Sequence, residues 1–214
     1  MSCCPPKGYA RLFGRRAARR DVRRYEKGGL DDTGARMVAF LRERGVEGAT
    51  VLEIGGGVGA LQLELLAAGV ARATNLELSP EYEESARELL RQRGLEDRVD
   101  RRLGDVVAEP ELTGPSDAVL MHRVVCCYPD ADALVGAAAE RARRYLVLSF
   151  PRDRRLIRAG ARLLNAGFGL LRWDYRTFVH KPAAILDAAE RRGLTLAEES
   201  HGSIWQVAAL ERPA

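Results

Sequence analysis

The run Val51-Leu52-Glu53-Ile54-Gly55-Gly56-Gly57-Val58-Gly59 decides the reading of this chain, because an apolar stretch stops abruptly in glycines and passes into the apolar Leu61 to Ala68. A chain leaving a buried strand and entering a helix at once needs backbone angles that a side chain would block. Bare backbone at such a turn, with the helix N-terminus behind it, suits a nucleotide-like ligand. The spacing alone leaves two readings, since Gly55, Gly57 and Ala60 also satisfy the G-x-G-x-x-G/A dinucleotide pattern and Glu77 stands in the window for its ribose acid.

Glu53 separates the two readings: it places an acid two residues before the first glycine, at the end of an otherwise apolar strand. The pattern Glu53-x-Gly55-x-Gly57-x-Gly59 resembles the first motif of the class I S-adenosylmethionine (SAM) methyltransferases. The resemblance implies that Glu53 organises the loop holding the amino-acid end of SAM and that Gly55, Gly57 and Gly59 lie under its methionine part. Glu77, at the end of the next strand, is similar to the second motif, which takes the ribose hydroxyls, with Leu78 against the base. Gly104-Asp105-Val106 is similar to the motif that takes the adenine amino group and a ring nitrogen. Glu53, Glu77 and Asp105 then end three successive strands, and strand ends at one edge of a doubly wound sheet face one crevice.

Around this centre the chain alternates strand and helix. Expected strands are 50–54, 73–78, 99–103, 117–121 and 145–150, with helices over 60–68 and from Ser79-Pro80-Glu81 to Arg93. Asp31-Asp32-Thr33 offers cap chemistry for a helix ending near Gly45. Alternation of this kind implies a parallel sheet. The last two strands, 195–198 and 203–210, are close enough to pair antiparallel. The expected fold is an α/β, Rossmann-like class I methyltransferase sandwich: a seven-stranded, mostly parallel sheet with helices on both faces, parallel order 3-2-1-4-5 and the final pair beyond strand five.

At 214 residues and 23.6 kDa the chain suits one α/β domain with its own core and leaves no room for a second substrate domain. Residues 1–30 read as a basic amino-terminal arm or lid helix, and 31–214 as the methyltransferase domain with an amphipathic insertion at about 152–175. The net charge of +4 is local: Lys7 to Lys27 holds nine basic residues against Asp21 and Glu26. Such a run points to an anionic partner or to a solvated helix face. Nucleic acid is disfavoured, because few aromatic side chains interleave the charges as stacking platforms. The insertion carries Ile157, Leu164, Phe168 and Leu171 on one stripe and Arg155, Arg158 and Arg162 on another; packing on the parent domain is the default, with roofing of the substrate site or peripheral membrane contact as alternatives.

The four cysteines form two adjacent pairs, Cys3-Cys4 and Cys126-Cys127, without secretory signal or bilayer-length apolar run. A reduced, cytoplasmic setting is expected. Neither pair has zinc-site spacing, so no metal is expected, and a soft ion held by both pairs is a minor alternative. The segment His122 to Asp130 and the pattern Phe178-Val179-His180, helix, Gly193, final strand resemble the magnesium-protoporphyrin O-methyltransferase-like subgroup, from which Cys126 and Cys127 depart. The cofactor implied is SAM and the acceptor a small, anionic molecule; oligomeric state stays open. His122, at the end of strand four, is placed at cofactor or acceptor as a proton acceptor, with His180 and Tyr128 on the acceptor side. The alternatives are a non-catalytic SAM-binding protein and a nicotinamide-dependent oxidoreductase.

Overall fold

A computed structural model of the chain describes residue 9 and residues 11–213. The sheet has seven strands in the order β3-β2-β1-β4-β5-β7-β6. β1 (Thr50–Ile54) lies at its centre, pairing in parallel with β2 (Arg72–Glu77) and β4 (Ser116–His122). β3 (Val99–Leu103) and β5 (Ala142–Pro151) extend the parallel part outward, and β7 (Trp205–Glu211) and β6 (Thr195–His201) close the far edge antiparallel. The order 3-2-1-4-5 with the last pair beyond β5 is the expected one.

Helices cover both faces because the central strands are apolar on both sides. Leu52 and Ile54 pack with α5 (Ala131–Arg141) and α7 (Pro182–Glu190), while Val51 meets α2 (Asp32–Glu43) and α3 (Ala60–Ala67). Alternation along β1 turns Glu53 to the α3 side. α1 (Arg15–Gly28) is more than a charged arm: Ala17, Ala18 and Tyr25 are buried with Leu63, Tyr82 and Leu89, the last on α4 (Glu83–Arg93). The small alanines let this arginine-rich helix approach α4 closely.

Element boundaries differ from expectation where local chemistry decides. Ser79 does not cap α4; a 3₁₀ turn at Pro80–Tyr82 intervenes, and the Ser79 hydroxyl donates instead to the Phe13 carbonyl at 2.8 Å. α5 ends at Arg141, and β5 starts at once with Ala142, three residues before the expected start at 145. β6 runs three residues past Glu198 to His201 through a bulge between Leu196 and Glu198. The insertion forms α6 (Arg155–Leu170), none of whose residues is buried, and it meets the domain only along one half-buried edge. Among the described residues no helix is long and apolar enough to cross a membrane.

Candidate active site

The parallel strands converge at their carboxyl ends on one cavity of about 310 Å³, walled by the glycine loop, the strand-end acids, the segment after β4 and the amino-terminal residues Tyr9 and Phe13. Gly57 (φ 54°) turns its N–H onto the Glu77 carboxylate at 2.8 Å, and a Cβ there would lie 3.1 Å from the Tyr82 ring. Gly59 (φ 85°) starts α3 with its Cα facing Gln62, where a Cβ would clash at 2.2 Å. Side chains at either position would strain the backbone and push the loop from the strand ends.

Glu53 and Glu77 play unlike parts. The Gln62 N–H donates to the Glu53 carboxylate, yet its Oε2 has no partner among the described residues, and the side chain is almost fully buried. Burial pushes the Glu53 carboxyl up to about 8, against the downward pull of the Gln62 N–H and Arg101. Glu77 is also raised by burial, but it accepts N–H bonds from Gly57, Leu78 and Ser79 at 2.8, 2.9 and 2.9 Å. Two carboxylate oxygens offer about four lone-pair directions, so about one is left for a ligand.

Asp105 shares that edge. Its carboxylate accepts the Val107 N–H at 2.9 Å and the Tyr128 hydroxyl at 3.1 Å, and Leu78, Val106 and Leu134 line the wall beside it. Tyr128 is therefore turned to Asp105, at the end expected for the cofactor's base and not on the acceptor side. His180 does not line the cavity: it stacks on Phe178, and its Nε2 lies 2.9 Å from the Tyr128 carbonyl. It can act on the site only through the backbone of the 126–128 segment.

The other end is built by His122, Arg123 and Asp31. Asp31 caps α2 by accepting the Gly34 N–H at 2.8 Å, and its second oxygen pairs with Arg123 Nη2 at 2.7 Å. His122 Nε2 lies 3.4 Å from Asp31 Oδ1, a long contact short of a formed hydrogen bond. Burial alone would raise the Asp31 carboxyl, but His122, the Gly34 N–H and Arg123 hold it well below the usual carboxylate range. Arg123 has φ 60°, a left-handed conformation that costs a non-glycine residue roughly 1–3 kcal/mol. The Ser149 hydroxyl accepts its N–H at 2.9 Å and Trp205 lies under its guanidinium at 4.7 Å, so the kink is held from two sides.

Cys127 joins the chain's two distant parts. Its carbonyl accepts the Tyr9 hydroxyl at 2.5 Å and its thiol the Tyr175 hydroxyl at 3.1 Å, while Tyr9, Phe13 and Phe168 meet the Tyr175 ring edge-on and Trp173 stacks on Phe168. Cys126 and Cys127 are free thiols 3.7 Å apart. Their mutual hydrogen bond raises the Cys126 thiol and lowers that of Cys127. Cys3 and Cys4 lie outside the described residues, and no cluster fit to hold a metal exists among those described.

Sequence reasoning missed the second layer behind the loop. Arg101 on β3 has a side chain 3% exposed, bonds Glu83 at 2.9 Å and donates to the Gly57 carbonyl at 3.1 Å. Asn75 and Gln62 are fully buried and share a 3.2 Å hydrogen bond. The signal was present as polar residues inside the apolar runs 61–66 and 73–78. Asp31 was legible as a cap and not as a partner of His122.

The fold is that of the class I SAM-dependent methyltransferases. Residues 51–147 match the family described as methyltransferase domain. Magnesium protoporphyrin IX methyltransferase from Synechocystis PCC 6803, solved with bound SAH, shares the fold at TM-score 0.76 with 23% identity, over 98% of this chain and all of that one. A putative sarcosine dimethylglycine methyltransferase from Galdieria sulphuraria gives TM-score 0.66 at 14% identity, over 84% of this chain and 85% of that one. A curated arginine N(omega)-methyltransferase from Streptomyces achromogenes subsp. streptozoticus is 34% identical over 142 residues, 61% of this chain, which spans 37% of that protein's length. The methyltransferase-domain match is thus confined to residues 51–147, and the fold is the one seen in methyltransferases solved with SAM and SAH.

Proposed function

We propose that this protein transfers the methyl group of SAM to a small anionic acceptor by direct in-line displacement in the cavity at the carboxyl edge of the sheet. The observation that carries this reading is the convergence of Glu53, Glu77 and Asp105 on one cavity beside a glycine loop. The residues present fit the cofactor. The Oε2 of buried Glu53, without a partner among the described residues, suits an ammonium group, the remaining direction on Glu77 suits a ribose hydroxyl, and the apolar wall of Leu78, Val106 and Leu134 beside Asp105 suits a purine.

When bound, SAM supplies a methyl group already activated on a sulfonium. Placement of the acceptor at attack distance is then the protein's main task, and orientation of this kind can supply roughly 7 to 11 kcal/mol. An acceptor held there would form its bond to the methyl carbon as the carbon–sulfur bond broke. Where the acceptor arrives protonated, His122 at the Asp31 end can take the proton, leaving an imidazolium that Asp31 stabilises. Tyr128 and His180 are positioning residues in this scheme, the first holding Asp105 and the second the Tyr128 backbone.

The anionic acceptor rests on charge. Once the three cofactor acids are set aside, the cavity retains Asp21, bound by the Tyr82 hydroxyl, and Asp31, bound by Arg123. Arg24 lines the same cavity without an ionic partner among the described residues. A second reading, a guanidino acceptor, is favoured by the arginine methyltransferase relative, with Asp31 as the guanidinium's partner in place of Arg123. Calorimetry with SAM and with NAD tests the cofactor, and product mass after incubation with labelled SAM and carboxylate, phenol or guanidino acceptors tests the substrate. Tight NAD binding without SAM binding overturns the proposal.

A further inference from the structure

α6 is an unusual helix for a domain of this size. Leu156, Leu163 and Leu170 are 86%, 76% and 86% exposed and fall two turns apart on one stripe, with Leu164 and Leu171 beside it at 57% and 59%. Gly160 and Gly167, between those leucines, have nothing within 4 Å of a Cβ position. Half-buried Ile157, Ala161, Asn165 and Phe168 form the edge that touches the protein, and Arg155, Arg158 and Arg162 form the remaining flank.

We propose that α6 is an interfacial helix that docks this protein on an anionic lipid surface, with the leucine stripe among the acyl chains and the arginine flank at the headgroups. Charge selects the occupant. No acidic residue occurs from Arg154 to Trp173, and Arg154, Arg155, Arg162 and Arg172 have no ion pair among the described residues. Arg158 alone is neutralised, by Asp153 at 3.2 Å. A second copy meeting this face across a two-fold axis would bring the two arginine flanks together, whereas anionic headgroups neutralise them. The helix has 16 residues, about 24 Å, so it lies in the surface and does not span it. Ile204 adds an exposed apolar side chain where its carbonyl accepts the Arg152 N–H, just before α6.

The test is co-sedimentation of the full chain with vesicles of phosphatidylcholine alone and of phosphatidylcholine with phosphatidylglycerol, at low and high salt. Binding is expected to the anionic vesicles, weaker at high salt. Leu156→Ser/Leu163→Ser/Leu170→Ser and Arg155→Glu/Arg162→Glu should each reduce partition by about tenfold or more while circular dichroism and SAM binding stay unchanged. Absence of binding, equal binding to neutral vesicles, or full binding by the leucine variant, which would assign the attraction to α1, overturns the proposal. So does a dimer in light scattering without vesicles that the leucine variant abolishes, since a second copy would then own the face.

Discussion

Glu53 carries a carboxyl raised to about 8, where an ordinary glutamate lies near 4.5. Its folded form holds a proton that its unfolded form has lost across that interval, so its contribution to stability falls as pH rises from about 4.5 to about 8. Glu53→Gln is expected to flatten the dependence of Tm on pH in that window. An ammonium group beside Oε2 would favour the ionised form, so SAM binding at neutral pH should release a proton. The check is the binding enthalpy in buffers of different ionisation enthalpy: it should vary with buffer in the parent and lose that dependence in Glu53→Gln. Glu77 behaves otherwise, because its three N–H donors would be stranded in Glu77→Ala. That variant should lose roughly 1–3 kcal/mol of stability by chemical denaturation as well as tenfold or more in SAM affinity by calorimetry. The convergence of the three acids was legible because each stands within two residues of the carboxyl end of a strand, and parallel strands end at one edge. The turn of Tyr128 to Asp105 was not legible, because a residue number past a strand end says nothing of which way the following 3₁₀ turn, Val125–Cys127, points its neighbours, and His180 follows an insertion whose placement the sequence does not tell.

Asp31 ties an element to the site, since one oxygen caps α2 and the other holds Arg123. Asp31→Ala should cost about 1 kcal/mol through the lost cap alone. Asp31→Ser retains a cap acceptor and drops the ion pair, so thermal unfolding should recover most of that loss while methyl-transfer rates, read in single turnover, stay low. Its depressed carboxyl adds stability that is present above the ordinary aspartate value and is lost as pH falls below it. Elements were legible to within a residue or two at β1, β3 and α3, whose apolar runs end in glycine or begin after it. α5 and β5 were blurred at their shared boundary because Ala142 to Tyr145 has neither a glycine nor a proline to mark the change. The exposure of α6 was not legible at all: an amphipathic period tells that one face is apolar, not that a protein surface waits to receive it.

For the molecule as a whole, α1 and the aromatic residues Tyr9 and Phe13 join the domain to its cavity. α1 presents Arg15, Arg16, Arg19, Arg20, Arg23 and Arg24 to trypsin. SAM should slow cleavage within α1 several-fold on gels, because a ligand binding only the closed form lowers the open population by mass action. Equal cleavage with and without SAM would detach α1 from the site. The hydrogen bond from Tyr9 to Cys127 spans 118 positions along the chain, and Tyr175 reaches the same residue from 48 positions beyond it. The wall at 126–128 is thus finished by a residue before the first strand and one after the fifth, once the parallel sheet between them exists. The 118-position closure to Tyr9 is longer than the 67 positions between the paired Val51 and Ala118 of the sheet, so it is the slower of the two to form. Refolding followed by tryptophan fluorescence, with Trp173 in the aromatic cluster and Trp205 on β7, should therefore resolve sheet formation from a later, slower closure that alone restores ligand binding: this protein acquires its shape before it acquires its pocket.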